Sequence, residues 1–417
     1  MPLKILLFLM LVFGMLQSQN TDSSSVRLDD LVAEALQANP DLSAMKSNLQ
    51  ALESRIKPAG TLPDPQLSLA VMNLPTDTWV FDQEPMTQKA VGLMQGLPFF
   101  GKLDLKQDIA VLDSRIAAQK VEEAKLQIIK MVKTTYYDLY FTKRAISITR
   151  DNKALMQNMV NVSEIRYRAG KGIQADWLNA QLELLKLDER LTVLEKQKAT
   201  LKAKMNILLN RNPQQALGDP AEPPLVPLTA DVAELQQMAL EYNPQLRSKS
   251  LAIEKSKSAV KLSKRNYWPD FGVGVTYGQR VGRPDFFSGQ VTMSIPLYGS
   301  RKQSEQVQEA EARKDNAQSE YSGSRNDIFY QIQSLVEEIN QSKRLMELYQ
   351  DQIIPQAEQA YNSALSAYSN DKLDYNSALN NLMMLFRNQL GLENNRRTYN
   401  NAVAGIEALA GEVKSQK

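Results

Sequence analysis

The sequence contains one series of four landmarks twice, at a separation of roughly 200 residues. Each copy has an apolar stretch ending near Asn-Pro, then a Pro-Asp pair, then a Pro and a Gly around bulky residues, then an Asp before an aromatic residue. The matching stretches are 31–42 and 235–246, 62–64 and 268–270, 95–101 and 294–299, and 175–180 and 373–378. Because the order is preserved across all four, we predict two tandem repeats of one structural unit.

The repeats are predicted to be joined by a proline-rich connector. We place the first repeat at residues 20–211, the connector at 212–230 and the second repeat at 231–417. The connector sequence NPQQALGDPAEPPLVP contains five prolines. Proline fixes φ and has no backbone N–H to donate, so this stretch should be extended and not helical.

The first residues are typical of an export signal. Lys4 supplies a positive charge, and an apolar run follows at residues 5–16. That run is too short to cross a bilayer as a helix, so residues 1–19 are predicted to be a signal peptide. No later apolar run approaches about 18 residues, so a membrane-embedded part of the mature chain would have to be a β-barrel.

Each repeat is predicted to contain a very long antiparallel helical hairpin. Its first arm is polar, carries apolar residues at mostly heptad-like spacing, and contains no proline in one repeat and only Pro355 in the other. About 67 helical residues would span about 100 Å, which suits a coiled-coil wall better than a compact domain. The predicted arms are 102–168 with 173–210, and 301–368 with 373–410; a helix of about 30 residues precedes each hairpin, at 26–57 and 231–266.

Four short segments are predicted to be strands. Their apolar residues alternate with small or polar ones, as in a strand with one face in lipid. The segments are 67–72, 90–95, 271–278 and 291–295. Soluble hairpins would show a similar alternation, so this pattern alone leaves the membrane assignment open.

The number of strands predicts an oligomer. Four strands per chain are fewer than the roughly eight of the smallest closed membrane barrels, and an open edge would leave backbone groups unpaired in hydrocarbon. Three copies would give a 12-stranded β-barrel and a 12-helix α-barrel tunnel. The predicted fold is therefore mainly α with a small membrane β part, assembled as a homotrimer.

Composition excludes several function classes. The chain has no Cys and no His, which removes disulfides, thiolate sites and the usual general base. Carboxylate-only metal sites and Lys- or Asp-based chemistry stay open at this level, but we predict no catalytic residue, no bound metal and no cofactor. The net charge of +2 gives no reason to expect a nucleic-acid partner.

Specific motifs resemble the TolC-like outer-membrane efflux family over nearly the whole mature chain. They are the Asn-Pro pairs at 39–40 and 243–244, LPDP at 62–65, QGLPFFGK at 95–102 and DWLNA at 176–180. MNLP at 72–75 and PMT at 85–87 are most similar to the branch associated with heavy-metal efflux pumps. Lipidated members of the family begin with a cysteine, which this chain lacks.

The resemblance implies an outer-membrane exit channel. A trimer would span the outer membrane as a β-barrel, extend into the periplasm as a helical tunnel, and dock on a periplasmic adaptor and an inner-membrane pump of the resistance-nodulation-division type. It would be a passive conduit for efflux substrates, with metal cations favoured over drugs or proteins, and outer-membrane lipid would surround the strands. The alternative from a different class is a secreted coiled-coil scaffold or adhesin without membrane strands. The adaptor of the same pump is a weaker third option, because its β-domain and lipoyl-like patterns are missing.

The resemblance also implies which residues form the gate, the adaptor contact and the strand-to-helix turns. In the family the constriction lies at the periplasmic hairpin tips, which match Asp176 and Asp374 here. The periplasmic gate candidates are Asp176, Asp374, Asp371, Arg166, Arg168 and Tyr368. The candidate adaptor contacts at the tips are Gly170, Lys171, Gly172 and Asn370, and the strand-to-helix turns are Pro98, Gly101, Pro296 and Gly299. Where the family often has a second acid after the position of Asp374, this chain has Ser377 and Ala378.

Overall fold

The computed structural model describes residues 26–411, so the predicted signal peptide lies outside the described residues. Helices dominate this part of the chain, and four strands form one sheet. The helices are α1 (Leu28–Ala38), α2 (Pro40–Ser54), α3 (Ile56–Gly60), α4 (Lys102–Arg168), α5 (Gln174–Leu208), α6 (Val232–Tyr242), α7 (Pro244–Arg265), α8 (Ser304–Leu348), α9 (Ile354–Ser369) and α10 (Tyr375–Ala410). None of the helices within residues 26–411 combines the length and the apolar character needed to cross a membrane.

Two compact units cut across the sequence repeats. Within the described residues, the first unit combines 26–39, 128–227 and 337–404, and the second combines 40–127, 228–336 and 405–411. Each unit therefore takes segments from both predicted repeats, and the long helices α4, α8 and α10 contribute to both units.

The core of the first unit joins the two helical hairpins. Met156 and Met159 of α4, Tyr361 of α9, and Leu382 and Phe386 of α10 are all buried in one apolar cluster. Leu187 of α5 belongs to the same cluster. Burying such side chains contributes roughly 1.5–3 kcal/mol each, so the two hairpins are held together mainly by this seam.

Polar side chains hold the connector on the same unit. The Tyr136 hydroxyl lies 3.0 Å from the carbonyl oxygen of Val26 and 2.9 Å from that of Ala221. Lys198 and Lys202 place their Nζ atoms 3.1 and 2.9 Å from Oδ1 of Asp219. Burial works against ionisation of Asp219, but hydrogen bonds from the two lysines outweigh it and hold the pKa of this carboxyl below its ordinary value.

The second unit contains the sheet, in the order β1-β2-β3-β4 with every neighbouring pair antiparallel. The strands are β1 (Gln66–Met72), β2 (Gln88–Leu97), β3 (Asp270–Gln279) and β4 (Phe286–Ser294). The predicted strands are confirmed, with β4 beginning several residues before its predicted start. The two central strands come from different repeats, so the sheet joins the repeats through the β2–β3 pair.

One face of the sheet is apolar and exposed. In register, Leu67 is opposite Leu93 and Leu93 is opposite Val275, so apolar side chains continue from strand to strand. The exposed members are Leu67, Leu69, Val71, Val91, Leu93, Val273, Val275, Tyr277, Phe287, Val291 and Met293. The opposite face carries small residues, and a Cβ added at Gly92 would lie 2.6 Å from the Ser68 hydroxyl. This is the arrangement of a lipid-facing strand with a polar, crowded interior side.

The predicted helices at 26–57 and 231–266 are wrong as single helices. Each is interrupted at an Asn-Pro pair, where Asn39 and Asn243 have extended backbones with ψ of 122° and 119°. A residue before proline disfavours the helical conformation, while proline itself suits the first helical position. The Asn243 side chain then caps α7 by accepting from the Leu246 N–H at 3.0 Å, and donates to the carbonyl of Leu409 at 2.9 Å.

The prediction of one unbroken helix at 301–368 also needs correction, whereas α4 at 102–168 is confirmed. Two π-helical segments, Gly299–Gln303 and Tyr349–Ile353, flank α8. The second lies directly before Pro355, whose ring would meet the carbonyl of Asp351 in a regular α-helix. Widening the helix at this point removes that clash, because a π-bulge shifts the hydrogen-bonding pattern by one residue.

Asn210 ends α5 in a left-handed conformation with φ of 55°. The Arg211 N–H donates to the Asn206 carbonyl at 2.7 Å and the Asn210 N–H donates to that of Ile207 at 3.0 Å, which is a Schellman end. Asparagine tolerates this conformation better than residues with a larger or apolar side chain.

We expect Asn210→Ala to lower the free energy of unfolding by about 1 kcal/mol, because the alanine Cβ disfavours the left-handed conformation. Thermal unfolding of the detergent-solubilised protein, followed by circular dichroism, measures the effect. The matched control is Asn210→Gly, which should keep or raise the midpoint. Equal midpoints for the alanine and glycine variants would contradict the argument.

Candidate functional site at the hairpin tips

The first hairpin tip is built by a Schellman end on α4. Gly170 has a φ of 69°, its N–H donates to the Tyr167 carbonyl at 3.0 Å, and the Lys171 N–H donates to the Arg166 carbonyl at 2.9 Å. Glycine is the residue that takes this conformation without steric cost. The chain then reverses, and α5 begins at Gln174.

The second tip repeats this geometry with an acid in the glycine position. Asp371 has a φ of 61°, and the Lys372 N–H donates to the Ala367 carbonyl at 2.9 Å. Aspartate is one of the few residues whose short polar side chain makes this conformation tolerable. The repeat therefore conserves the backbone turn while placing a carboxylate at the tip.

An ion pair joins the two tips. Arg166 Nη2 lies 2.6 Å from Asp371 Oδ1 and also donates to the carbonyl of Lys171 at 3.1 Å. Lys171 Nζ lies 3.9 Å from the other Asp371 oxygen. The Arg166 side chain is only 13% exposed, whereas that of Asp371 is 44% exposed. The Coulomb attraction is therefore only partly screened by solvent.

Tyr368 lies beneath this ion pair. The Arg166 guanidinium carbon is 4.3 Å from the centre of the Tyr368 ring, within cation–π range. The Tyr368 side chain is almost fully buried, and its hydroxyl lies 3.0 Å from Ser163 Oγ. Burial is the main cause that raises the pKa of Tyr368, so the hydroxyl stays neutral. Arg166, Asp371, Tyr368, Lys171 and Ser163 are called the tip cluster below.

The two aspartates matched by sequence occupy different positions. Asp374 is the residue before α10 and accepts from the Ser377 N–H at 3.0 Å and the Ser377 hydroxyl at 2.6 Å. These hydrogen bonds lower the pKa of Asp374. Asp176 lies within the first turn of α5, where burial raises its pKa, Arg166 opposes that rise and Asp374 adds to it. Asp374 is therefore a helix cap, while Asp176 is a half-buried carboxyl beside the tip cluster.

Two other predicted residues point away from the tip cluster. Arg168 pairs with Glu164 one turn earlier on α4, at 2.6 Å, and its side chain is 76% exposed. The Asn370 side chain donates to the Ser366 carbonyl of its own helix at 2.8 Å. Neither makes a contact between the hairpins in this arrangement.

Sequence reasoning missed the aromatic pairs that brace each turn. The Tyr167 and Trp177 rings stack with centroids 6.1 Å apart, and Tyr368 and Tyr375 meet edge to face at 6.1 Å. Tyr167 and Tyr368 each precede the left-handed residue of their tip by three positions. This shared spacing in the two repeats was a sequence signal for the aromatic pairs. Ser163 had no such signal, because only the fold brings it to Tyr368.

The predicted strand-to-helix turns differ between the repeats. Gly101 after Pro98 has a φ of 76° and allows α4 to begin at once, whereas Gly299 after Pro296 opens a π-helical segment. Lys102, which is buried, places Nζ 2.8 Å from Asp270 Oδ1, and Asp270 also accepts from the Phe99 N–H at 2.7 Å. This ion pair joins the start of α4 to the start of β3.

Within residues 26–411, no group of three or more acidic side chains is placed to hold a metal ion. The tips instead bring together cationic, anionic and aromatic side chains from two adjoining hairpins. Such an arrangement can hold two helical elements together or release them, but it contains no nucleophile paired with a base.

Comparisons with known proteins are consistent with this architecture. The family model described as outer membrane efflux protein matches residues 31–211 and again residues 235–412. The cobalt-zinc-cadmium resistance protein CzcC of Cupriavidus metallidurans is 21% identical over 367 residues, which cover 86% of this chain and 84% of that protein.

Solved structures of outer-membrane channels have the same fold. The channel OprN gives a TM-score of 0.80 at 16% identity, covering 93% of this chain and 91% of that one. VceC from Vibrio cholerae gives 0.79 at 18% identity, covering 93% and 97%. CusC gives 0.79 at 14% identity, covering 93% of each chain.

The two family matches confirm the predicted tandem repetition, and they favour an outer-membrane transport protein over a secreted scaffold or an enzyme. They cover most of the chain, including both hairpins and all four strands. The chain belongs to the outer membrane efflux protein family.

Proposed function

We propose that three copies of this chain form the outer-membrane exit channel of a tripartite system that expels metal cations. The observation that carries the proposal is the double family match, together with the exposed apolar face of the four-stranded sheet. Closing a barrel around that sheet requires other copies, because β1 and β4 are its two edges and hydrocarbon offers no partner for their backbone groups.

Metal cations are the favoured cargo because of the relatives. CzcC is a cobalt-zinc-cadmium resistance protein and matches most of this chain, in agreement with the resemblance to the heavy-metal branch. The conduit would bind no metal of its own and would leave the choice of cargo to the pump.

The tips are the proposed contact with the periplasmic adaptor, which in turn engages a resistance-nodulation-division pump. Gly170 and Lys171 are exposed at the end of the first hairpin. Ile165 and Ile173 lie beside them with 66% and 64% of their surfaces exposed. Exposed apolar side chains grouped around a turn are typical of a protein contact surface.

A strain that lacks the gene tests the function. It should become sensitive to cobalt, zinc or cadmium, and the wild-type gene should restore tolerance. Unheated outer-membrane fractions should contain a trimer that heating dissociates.

Ile173→Glu should still assemble but fail to restore tolerance, whereas Lys196→Gln on an exposed part of α5 should restore it. A soluble monomer would contradict the channel; normal tolerance of all three metals would contradict the cargo.

The tip cluster is the proposed lock that keeps the channel shut at rest. Opening must move hairpins relative to each other, and the Arg166–Asp371 pair with its Tyr368 support joins two hairpins of one protomer. Arg166 also keeps two buried donors, Nε and Nη1, without a protein partner. Those donors are available to form other hydrogen bonds once the tips rearrange, which supports a cluster with two arrangements.

Asp176 and Asp374 have separate proposed roles in this lock. The negative charge of Asp176 acts on Arg166, and threefold symmetry would repeat it around the entrance, which favours cations over anions. Asp374 caps α10, so removing it alters the helix end as well as the charge.

We expect Asp371→Asn to raise the open probability of the channel in a planar bilayer. Asparagine keeps the left-handed backbone and removes only the charge. Because Asp371 is partly exposed, solvent screening reduces the contribution of each ion pair to about 1 kcal/mol. Losing all three pairs of a trimer would shift the equilibrium between closed and open channels by about 3 kcal/mol, which is roughly 100-fold.

The matched control is Arg168→Gln, which removes an exposed charge at the same tip without touching the ion pair. Its open probability should equal that of the wild type. Unchanged open probability in Asp371→Asn, or an equal increase in both variants, would contradict the lock.

A further inference from the structure

An apolar groove lies where the exposed face of the sheet meets the start of α4. Its volume is about 570 Å³. The lining includes Leu62, Leu97, Phe100, Phe271, Val273 and Val291. Phe100 projects at its margin with 81% of its surface exposed. The groove therefore continues the apolar surface of the strands to the level at which they end.

The groove is centred on the middle of the sheet. It lies around the end of β2 and the start of β3, the two central strands in the order β1-β2-β3-β4. Neighbouring copies would extend the sheet from its edges, β1 and β4. A strand paired with either edge lies in the plane of the sheet, so it would leave the face that lines the groove uncovered.

A cation stands directly beside the groove. The Arg265 guanidinium donates through Nη1 to the carbonyl oxygen of Phe100. It fills the space next to Gly101, where an added Cβ would lie 2.8 Å from Nη1. Arg265 is exposed, and Lys261 and Lys264 on the last turns of α7 are exposed as well.

Two acidic groups nearby, Glu311 and Asp270, are already paired with other cations and do not neutralise Arg265. Lys264 pairs with Glu311 at 3.0 Å, and Asp270 is paired with buried Lys102. Asp104 lines the groove itself. An anionic ligand would therefore place its charge at Arg265, while its apolar part occupies the groove.

Aromatic side chains mark this level as a membrane boundary. Trp268 is 57% exposed and stacks on Phe99, with ring centroids 5.1 Å apart and planes 9° apart. Tyr267 is exposed beside it. Trp and Tyr are enriched where hydrocarbon meets the headgroups, and Lys and Arg near that level attract anionic lipids.

We propose that the groove binds one anionic phospholipid from the leaflet on the helical side of the membrane. An acyl chain lies against Phe100 and Val273, and the phosphate pairs with Arg265. A guanidinium presents donors in the geometry that phosphate accepts, and a zwitterionic lipid carries its own cation in competition with it. The inference rests on the proposed insertion of the strands in the membrane and adds a lipid class and its contact residues.

Native mass spectrometry of the full-length exported protein tests the site, with equimolar phosphatidylglycerol and phosphatidylcholine added in detergent. The mass of each species reports the oligomeric state and the number of retained lipids separately. We expect one phosphatidylglycerol per chain to be retained in preference to phosphatidylcholine. An intact trimer that retains both lipids equally, or neither, overturns the lipid site and leaves the channel proposal standing.

Variants separate charge from folding. Arg265→Gln should lower the preference for phosphatidylglycerol by about fivefold, whereas Arg265→Lys should keep most of it. Phe100→Ala should reduce retention of both lipids. Lys196→Gln, an exposed charge in the other compact unit, should change neither. A preference that is equal in wild type and Arg265→Gln would overturn the assignment of the phosphate to Arg265.

Discussion

The hydrogen bonding of backbone groups in hydrocarbon is the constraint on which this structure depends. Four strands from two repeats make one sheet whose outward side chains are apolar and whose edges are β1 and β4. Each unpaired N–H or C=O of those edges would cost several kcal/mol in lipid. The strands gain their stability in the membrane only when other copies pair with both edges, and this requirement sets the symmetry for the helices that continue from them.

The helical part follows from the same duplication. Every strand is continued by, or continues from, a helix, so a sheet closed by copies would also place their helical hairpins side by side. The apolar seam between the hairpins of one chain, with Met156, Tyr361 and Phe386 in its core, fixes each pair as a unit. The ends of these hairpins combine buried aromatic side chains with several charges, among them the partly exposed Arg166–Asp371 pair.

Much of the fold could be predicted because local chemistry determines it. A proline-free, heptad-like stretch gave the limits of α4 to the residue, since Gly101 and Gly170 each take a left-handed conformation at its ends. The Asn-Pro breaks were missed because helical periodicity continues through them. The proline itself indicated a break, since the residue before a proline disfavours the helical conformation. The π-helical segment before Pro355 was missed because the sequence shows where a helix is strained but not how the strain is relieved.

The candidate site was predictable in its location and in its charged residues, but not in which of those residues pair. The matched sequence DWLNA pointed to the tips but suggested equal roles for Asp176 and Asp374, which the structure separates into a half-buried carboxyl and a helix cap. The Arg166–Asp371 pair joins residues that lie far apart in sequence. Such a pair depends on how two hairpins pack, which no single stretch of sequence specifies.

The central claim is that the two sheet edges pair between copies, and cysteine cross-linking tests it most directly. The natural chain has no cysteine, so a pair introduced at Ala70 of β1 and, in a series, at positions along β4 reports only on the designed contact. Oxidation in intact outer membranes should give covalent trimers at one β4 register and none with either cysteine alone. Monomers at every register, in membranes where the protein is present, would contradict the account.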